Sequence, residues 1–344
     1  MLIRTVHTKD YQKIKTLFKR NNMGIISYDR WKNLWQKNPF LKNKKKWIKG
    51  WVLEKNKRIV GHIGQFPMQY FLNKKPYLCS VLYGWVVDEQ FRSHSIILLK
   101  KYFTQQNIDF YFGTALNEKA NKIMKMMNVK DVPVKSLSYS LTIVLNLKKA
   151  VGYLFKKSSF PLKNYFMILF SHVSSLILKG RFNYWKNNFS SENIIHYKKI
   201  DKKFDILWKK IKKSQKNKLL LQRDQKWMKW HLDYFINNKK AWILLSVKKN
   251  KINGYAICIE KNNLKNKIKS TLLIDLMTFD KSEITLKNLI GSCIEQSNRR
   301  NCDIFEFRGF DEEKILQMKF FKPFKKNLIN NPFCYKSDNK KLNK

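Results

Sequence analysis

No two of the five cysteines (Cys79, Cys258, Cys293, Cys302, Cys334) stand in CxxC spacing, and their number is odd. This argues against a disulfide framework and predicts reduced thiols in a cytoplasmic protein. The six histidines (His7, His62, His94, His172, His196, His231) lack metal-ligand spacing, so no metal site is expected. The opening MLIRTVHTKD has no apolar signal segment. Long apolar runs are also missing. The fourteen residues from Tyr165 to Leu178, YFMILFSHVSSLIL, fall short of the roughly 20 that cross a bilayer. Flanked by Lys156, Lys157, Lys163, Lys179 and Arg181, they read as an interdomain core helix. The alternative is an interfacial helix on an anionic membrane, which would place the protein against the inner membrane face.

Acidic residues are scarce. Against 71 Lys and Arg stand 24 Asp and Glu, a formal charge of +47. Lysine, asparagine and isoleucine are abundant together, as an A- and T-rich coding sequence would give. The functional alternative is an anionic partner, but the lysines are spread along the chain rather than gathered into one block. A length of 344 residues suggests about two domains with ample core.

The chain is organised around LYGWVVDEQFRSHSIILLK, Leu82 to Lys100. Val81 to Val87 is apolar and rich in β-branched and aromatic residues, so it reads as a buried strand. Asp88-Glu89-Gln90 is turn-like, and Ser93 and Ser95 lead into a helix start at Ile96. A strand feeding a helix through a short loop aims backbone N–H groups at one point, where an anion can bind. This stretch resembles the coenzyme A loop of the GNAT (Gcn5-related N-acetyltransferase) superfamily. Val86, Val87, Asp88 and Arg92 match its pattern, while Ser93, Ser95 and Ile97 stand where the family has glycines or alanine. The resemblance implies an acyl-coenzyme A site, acetyl-coenzyme A in the first instance, formed by Val86, Val87, Arg92, Ser93, His94, Ser95, Ile96 and Ile97.

A second stretch, IDFYFGTALNEKANKIMKMMNV from Ile108 to Val129, resembles the family's fifth strand and following helix. Asn117 and Ala120 match. Met124 stands in the place of the family's tyrosine, Asn128 in that of its glycine and Val129 in that of its phenylalanine. Asn117 is expected to cap the helix and, by resemblance, to bond the pantetheine or phosphate end. The pantetheine arm would enter between the Tyr83–Val87 and Phe110–Phe112 strands, and a main-chain N–H near Val87 would polarise the thioester.

Along the rest of the chain, Leu2 to Val6 reads as a strand, Tyr11 to Arg20 as a helix, and Ser27 or Asp29 caps another bearing Trp31 and Trp35. A hairpin follows, Trp47–Glu54 and Ile59–Phe66, with His62 facing acceptor, core or solvent. Tyr139 to Leu147 reads as the strand that closes the first domain. From Ile200 the pattern repeats. Trp242–Val247 and Ile252–Ile259 echo the hairpin, Ser270–Phe279 the central strand, and Cys302–Phe307 the strand after it. The second copy has Asp280-Lys281-Ser282 in place of the cofactor loop and is not expected to hold coenzyme A.

The fold class expected is α/β (α+β), two tandem GNAT-like domains, each a mixed, mostly antiparallel sheet flanked by helices. The boundaries expected are 1–147 for the cofactor-binding copy, 148–195 for a helical linker, 196–336 for the second copy and 337–344 for a disordered tail. The function implied is acyl-coenzyme A dependent N-acyl transfer to a small amine, for instance an aminosugar of a surface polysaccharide. Two other readings remain: a FemAB-like aminoacyl-tRNA dependent ligase, and a GNAT fold that only binds. For the base, Tyr83, Asp88, Glu89 and Glu118 are candidates. Met124 cannot donate a proton to the leaving thiolate.

Overall fold

The computed structural model describes residues 1–41, 47–114, 116–147, 149, 180–185, 187–263, 268–279, 282–327, 333–339 and 342. The apolar stretch 165–178 and most of the 148–195 segment lie outside the described residues. The chain packs as two compact units. One comprises Met1–Pro133, Lys212–His231 and Asn330–Lys344, the other Val134–Ile211 and Leu232–Ile329.

In the first unit, β1 (Leu2–Thr5), β2 (Gly50–Lys55), β3 (Arg58–Leu72) and β4 (Lys75–Val87) form an antiparallel meander. Its hairpins turn on paired left-handed residues, Asn56 with Lys57 and Asn73 with Lys74. That is the conformation a two-residue loop needs to follow the strand twist. The second hairpin extends β3 and β4 well past the expected ends at Phe66 and Val81. β5 (Phe110–Gly113) runs parallel to β4. Helix α1 (Tyr11–Arg20) buries Ile14, Leu17 and Phe18 on one face of the sheet. Beside it lies α2 (Tyr28–Gln36), whose Ser27 cap accepts from the Arg30 N–H. On the other face, α3 (Ser95–Phe103) and α4 (Glu118–Met126) cover Leu53, Ile63, Leu82 and Tyr111.

The second unit repeats the plan. α5 (Lys202–Ser214) follows β8 (Ile194–Tyr197). The meander is β10 (Ala241–Lys248), β11 (Lys251–Asn263) and β12 (Ile268–Thr278). β13 (Ile304–Phe307) pairs parallel to β12, and the long helix between them, α7 (Glu283–Arg299), is buried along Leu286, Leu289, Ile290 and Cys293. β9 (Leu220–Leu221), paired with β3, and the first half of α6 (Gln225–Asn237) belong to the first unit, while α8 (Glu312–Lys319) follows β13 in the second.

Two strands leave the expected boundaries. Tyr139 to Leu147 does not close the first sheet: β7 (Tyr139–Val144) lies between β13 and β14 (Phe324–Asn327) of the second. The first sheet is completed instead by the chain's end. β15 (Cys334–Lys336) sits between β5 and β6 (Lys130–Asp131), with Cys334 buried against Gly113. The tail expected to be disordered is tied down in part, since the Ser337 hydroxyl donates to Asp109 O and Leu342 packs on the cluster of Tyr77 and Phe110. Among the described residues, no helix is long and apolar enough to cross a membrane.

Candidate functional site

β4 and β5 stay paired over only three positions, Cys79 with Phe110, Ser80 with Tyr111 and Val81 with Phe112. β5 ends at Gly113 while β4 runs on to Val87, so Leu82 to Val87 have no strand on that side. Where the strands part, β4 bulges. His62 pairs with Val86 but Gly64 with Tyr83, so Gly84 and Trp85 together face Ile63. Gly84 takes φ +60°, and a Cβ there would stand 2.3 Å from Phe18 Cζ, so only glycine fits.

His62 holds this bulge from β3. Its Nδ1 lies 2.7 Å from the Gly84 carbonyl oxygen. That oxygen can only accept, so Nδ1 carries the proton and Nε2 keeps its lone pair. Nε2 is buried with no hydrogen-bond partner. Burial is the main influence on the ring. It brings the pKa down to about 4, against smaller opposing effects of the Gly84 hydrogen bond and the Asp10 charge. The ring is therefore neutral at physiological pH, a fixed donor packed edge-on to Phe18 and Tyr83.

The bulge also sets where the β4 donors point. Leu78 exchanges bonds with the β5 side, its carbonyl accepting from Asp109 N at 2.9 Å and its N–H donating to Asp109 Oδ2 at 2.6 Å. Asp88 N donates to Val60 O on the β3 side at 2.8 Å. Backbone groups alternate along a strand, so the Val87 and Trp85 N–H groups turn away from β3, into the gap left by β5.

From Val87 the chain enters α3. The expected open loop is wound into a 3-10 turn over Glu89–His94. Phe91 N–H donates to Asp88 O and Ser95 N–H to Arg92 O. Ser95 is buried and its N–H is spent, which removes it from the expected cradle. Ile96 and Ile97 are each 40% exposed, so their side chains reach solvent rather than filling the core. His94 is the N-cap of α3 and makes no side-chain capping bond, and the first turn carries no acid. The corresponding helix of the second unit differs. In α7, Ser282 accepts from Thr285 N–H and Glu283 occupies the first turn. Of these two corresponding helices, α3 has the start better suited to an anion. The second unit has the same bulge, at Ile274 of β12, but there it buries the Asp275 carboxylate, which accepts from the Tyr255 hydroxyl at 2.9 Å.

The four candidate bases fare unevenly. Asp88 accepts from Arg20 Nη2 at 2.6 Å and Asn21 Nδ2 at 2.8 Å, and Arg58 stands at 3.6 Å. Burial raises its pKa, but those hydrogen bonds and charges outweigh it and hold the carboxyl below its usual range. Asp88 is thus a tie between α1 and β4 and a poor base. Glu89 is exposed at the surface and pairs with Arg92, so neither faces the strand gap alone. Glu118 pairs with Lys122 on the outer face of α4. Tyr83 lies beside the bulge, on the α1 side, and burial pushes its phenol up to about 12, opposed in part by Arg30. At neutral pH it is protonated, a donor and not a base.

Asn117 caps α4, accepting from Ala120 N–H at 2.8 Å. Met124 is fully buried in the core on that face. Asn128 takes φ +59° after α4, a left-handed position that asparagine tolerates. Ser93 and Lys100 are exposed, and Val86 packs with the α1 core. Gly84 and the role of His62 were the features missed by sequence reasoning. The signal was present, since a glycine inside an otherwise continuous strand marks a bulge.

No protein-family model matches the sequence, and comparison with curated proteins finds no match. Solved structures do match. The N-myristoyltransferase of Saccharomyces cerevisiae with bound myristoyl-CoA superposes with a TM-score of 0.56 at 14% identity, covering 97% of this chain and 78% of that one. A probable N-acyltransferase of Enterococcus faecalis gives 0.59 at 9% identity, over 98% and 72% of the two chains. A GCN5-related N-acetyltransferase from Kribbella flavida gives 0.57 at 6% identity, over 98% and 70%.

Proposed function

We propose that this chain, which has the two-domain GNAT fold, is a cytoplasmic acyl-coenzyme A dependent N-acyltransferase whose first unit holds the co-substrate. The observation that carries the reading is the parting of β4 from β5 at the Gly84 bulge, leading directly into the uncapped start of α3. A pantetheine arm laid along the bare edge of β4 would use backbone groups that β5 leaves without a partner. The helix start, with His94 and Arg92 near it, would receive the pyrophosphate. Ile97 narrows the approach, and with Ser95 N–H already bonded the cradle has fewer donors than the family pattern.

The reaction needs a neutral amine beside the thioester carbonyl. The amine nitrogen attacks the carbonyl carbon, the C–N bond forms and the C–S bond breaks. The Trp85 or Val87 N–H stabilises the oxyanion between these events, worth about 2.7–4 kcal/mol for one well-placed donor. The coenzyme leaves as thiolate and the amine proton passes to water. Tyr83 serves as a donor on the acceptor side. The neighbours named for N-acyl transfer support this class, and the myristoyl-CoA bound to the yeast enzyme supports a coenzyme A thioester. Acetyl is the acyl group proposed, and a small amine such as an aminosugar the acceptor.

Titration calorimetry with acetyl-coenzyme A, myristoyl-coenzyme A, free coenzyme A, ATP and bulk tRNA tests the reading. Micromolar binding of the coenzymes over ATP, weakened by Arg92→Ala and strengthened by Ile97→Gly, is expected. Salt-sensitive tRNA binding without coenzyme binding would replace it with the tRNA-dependent ligase. Coenzyme binding without thiol release for any amine would leave a binding protein.

A further inference from the structure

The second unit contains a cavity of about 510 Å³ between α5 and the edge of its meander, at β8 and the β10–β11 turn. Its size lies within the range of roughly 300–1,000 Å³ typical of small-ligand sites. The walls are apolar, with Leu207 from α5 and Leu245, Val247 and Ile252 from the hairpin. Ile195 and Ile206, which also line it, are 43% and 58% exposed, unusual for β-branched residues beside a formed core. The polar lining is Lys203 and Lys210 on one side and Asn250 and Lys251 on the other. The Lys203 and Lys210 ammonium groups lie over the rings of Tyr197 and Phe279, at 5.1 and 5.4 Å. Beside them Asp201 accepts from the Tyr197 hydroxyl and the Lys203 N–H, and although burial raises its pKa, these bonds and the Lys203 and Lys199 charges hold it below its usual range.

The first unit shows what the same seam looks like when closed. There α1 follows β1 as α5 follows β8, and Lys13 of α1 spans the seam, its ammonium donating to Lys57 O in the β2–β3 turn at 2.9 Å. In the second unit the turn at Lys249 and Asn250 keeps the left-handed geometry, but the seam is open and apolar inside. An apolar slot with three lysines among its lining residues matches one chemistry, a tail and an anionic head on the same molecule.

We infer that this cavity is a binding site for a single-chain anionic amphiphile of the class of a medium-chain fatty carboxylate, its tail between α5 and the hairpin and its carboxylate among Lys203, Lys210 and Lys251. The site stands apart from the first unit's strand gap and does not depend on the transferase reading.

The test is calorimetry of the full chain with decanoate, octanoate, decyltrimethylammonium and decyl maltoside, each below its micelle concentration. Decanoate is expected to bind saturably, and octanoate about fifteenfold more weakly, at about 0.8 kcal/mol for each buried CH₂. The double variant Lys203→Glu with Lys210→Glu is expected to weaken decanoate at least tenfold, and Ile206→Asp to do the same from the apolar side. These side chains lie at the surface, and unchanged circular dichroism will confirm the fold. Acetyl-coenzyme A binding is expected to be the same in all variants. Equal binding of the cationic or neutral amphiphile, indifference to the substitutions, or no binding of millimolar decanoate would each overturn the proposal.

Discussion

The Gly84→Ala substitution probes the bulge from which the proposed chemistry is built. Gly84 is held at φ +60°, where an L-residue pays about 1–2 kcal/mol for the approach of Cβ to the carbonyl. The new methyl would also stand 2.3 Å from Phe18 Cζ, well inside the contact distance of about 3.5–4.0 Å between carbons. Phe18 is 3% exposed and has nowhere open to move, so overpacking adds about 1–3 kcal/mol. The sum, about 2–5 kcal/mol, is a large part of the roughly 5–15 kcal/mol that holds a domain together. Urea unfolding measures it. Phe18→Leu removes the clashing Cζ, so a double-mutant cycle separates the two effects. The double variant is expected to be more stable than the sum of the single losses by about 1–2 kcal/mol. Loss of acetyl-coenzyme A affinity in Gly84→Ala, even where the protein is still folded, should accompany it. A wild-type urea midpoint for Gly84→Ala, or strict additivity in the cycle, would show that the bulge is not wedged against Phe18.

His62 gives stability a pH dependence whose sign is fixed by its pKa of about 4 in the folded chain. The unfolded ring binds a proton near 6.5 and the folded one does not, so stability falls as pH drops from about 6.5 to about 4, by about 3 kcal/mol in all. His62→Gln keeps a donor for Gly84 O and is expected to flatten that slope in urea titrations. Asp88 behaves as a carboxylate with a depressed pKa. Asp88→Asn is expected to cost about 1–3 kcal/mol at pH 7, and the gap to wild type should close as pH falls through the depressed value. Ending the chain before Phe333 removes β15 from between β5 and β6 and bares the core at Cys334. Coenzyme binding and cooperative unfolding of the first unit should both be lost, which intrinsic tryptophan fluorescence would follow. Tyr83→Phe removes the donor on the acceptor side and is expected to lower kcat/KM for amine acylation by about tenfold, the worth of one hydrogen bond, while leaving the coenzyme Kd unchanged.

Local signals settled much of this protein before any contact was known. Helix α1 begins and ends at the residues the apolar spacing picks out, and Ser27 and Asn117 cap α2 and α4 as their side chains allow. The strand, loop and helix around Asp88 and their echo after Ile200 were legible as elements, because periodicity and turn chemistry act over a few residues, and the resemblance of those stretches to the GNAT family implied the fold class. Met124, read from the sequence only as a side chain that cannot donate a proton in the tyrosine's place, lies in the core. The interior of the candidate site was less legible. Arg92 is tied to Glu89, and Ser95 spends its N–H on Arg92 O, because a loop of that length can wind into a 3-10 turn. Residue type alone cannot report which backbone donors remain. Asp88 was a candidate base until Arg20, sixty-eight positions earlier in the chain, was seen to grip it. The exchange of strands lay beyond sequence altogether. β7 and β15 are short, and their residues would suit either sheet. Which edge each joins is decided by the partners waiting there, Phe305 and Phe307 for β7 and Tyr111 and Gly113 for β15. The sequence by itself determined most of the helices and the meander strands of both units, and the passage from strand to helix at Asp88. Tertiary structure alone decided which strand ends where, and with it the gap beside β4, since strand pairing is a contest between distant segments that no local pattern records.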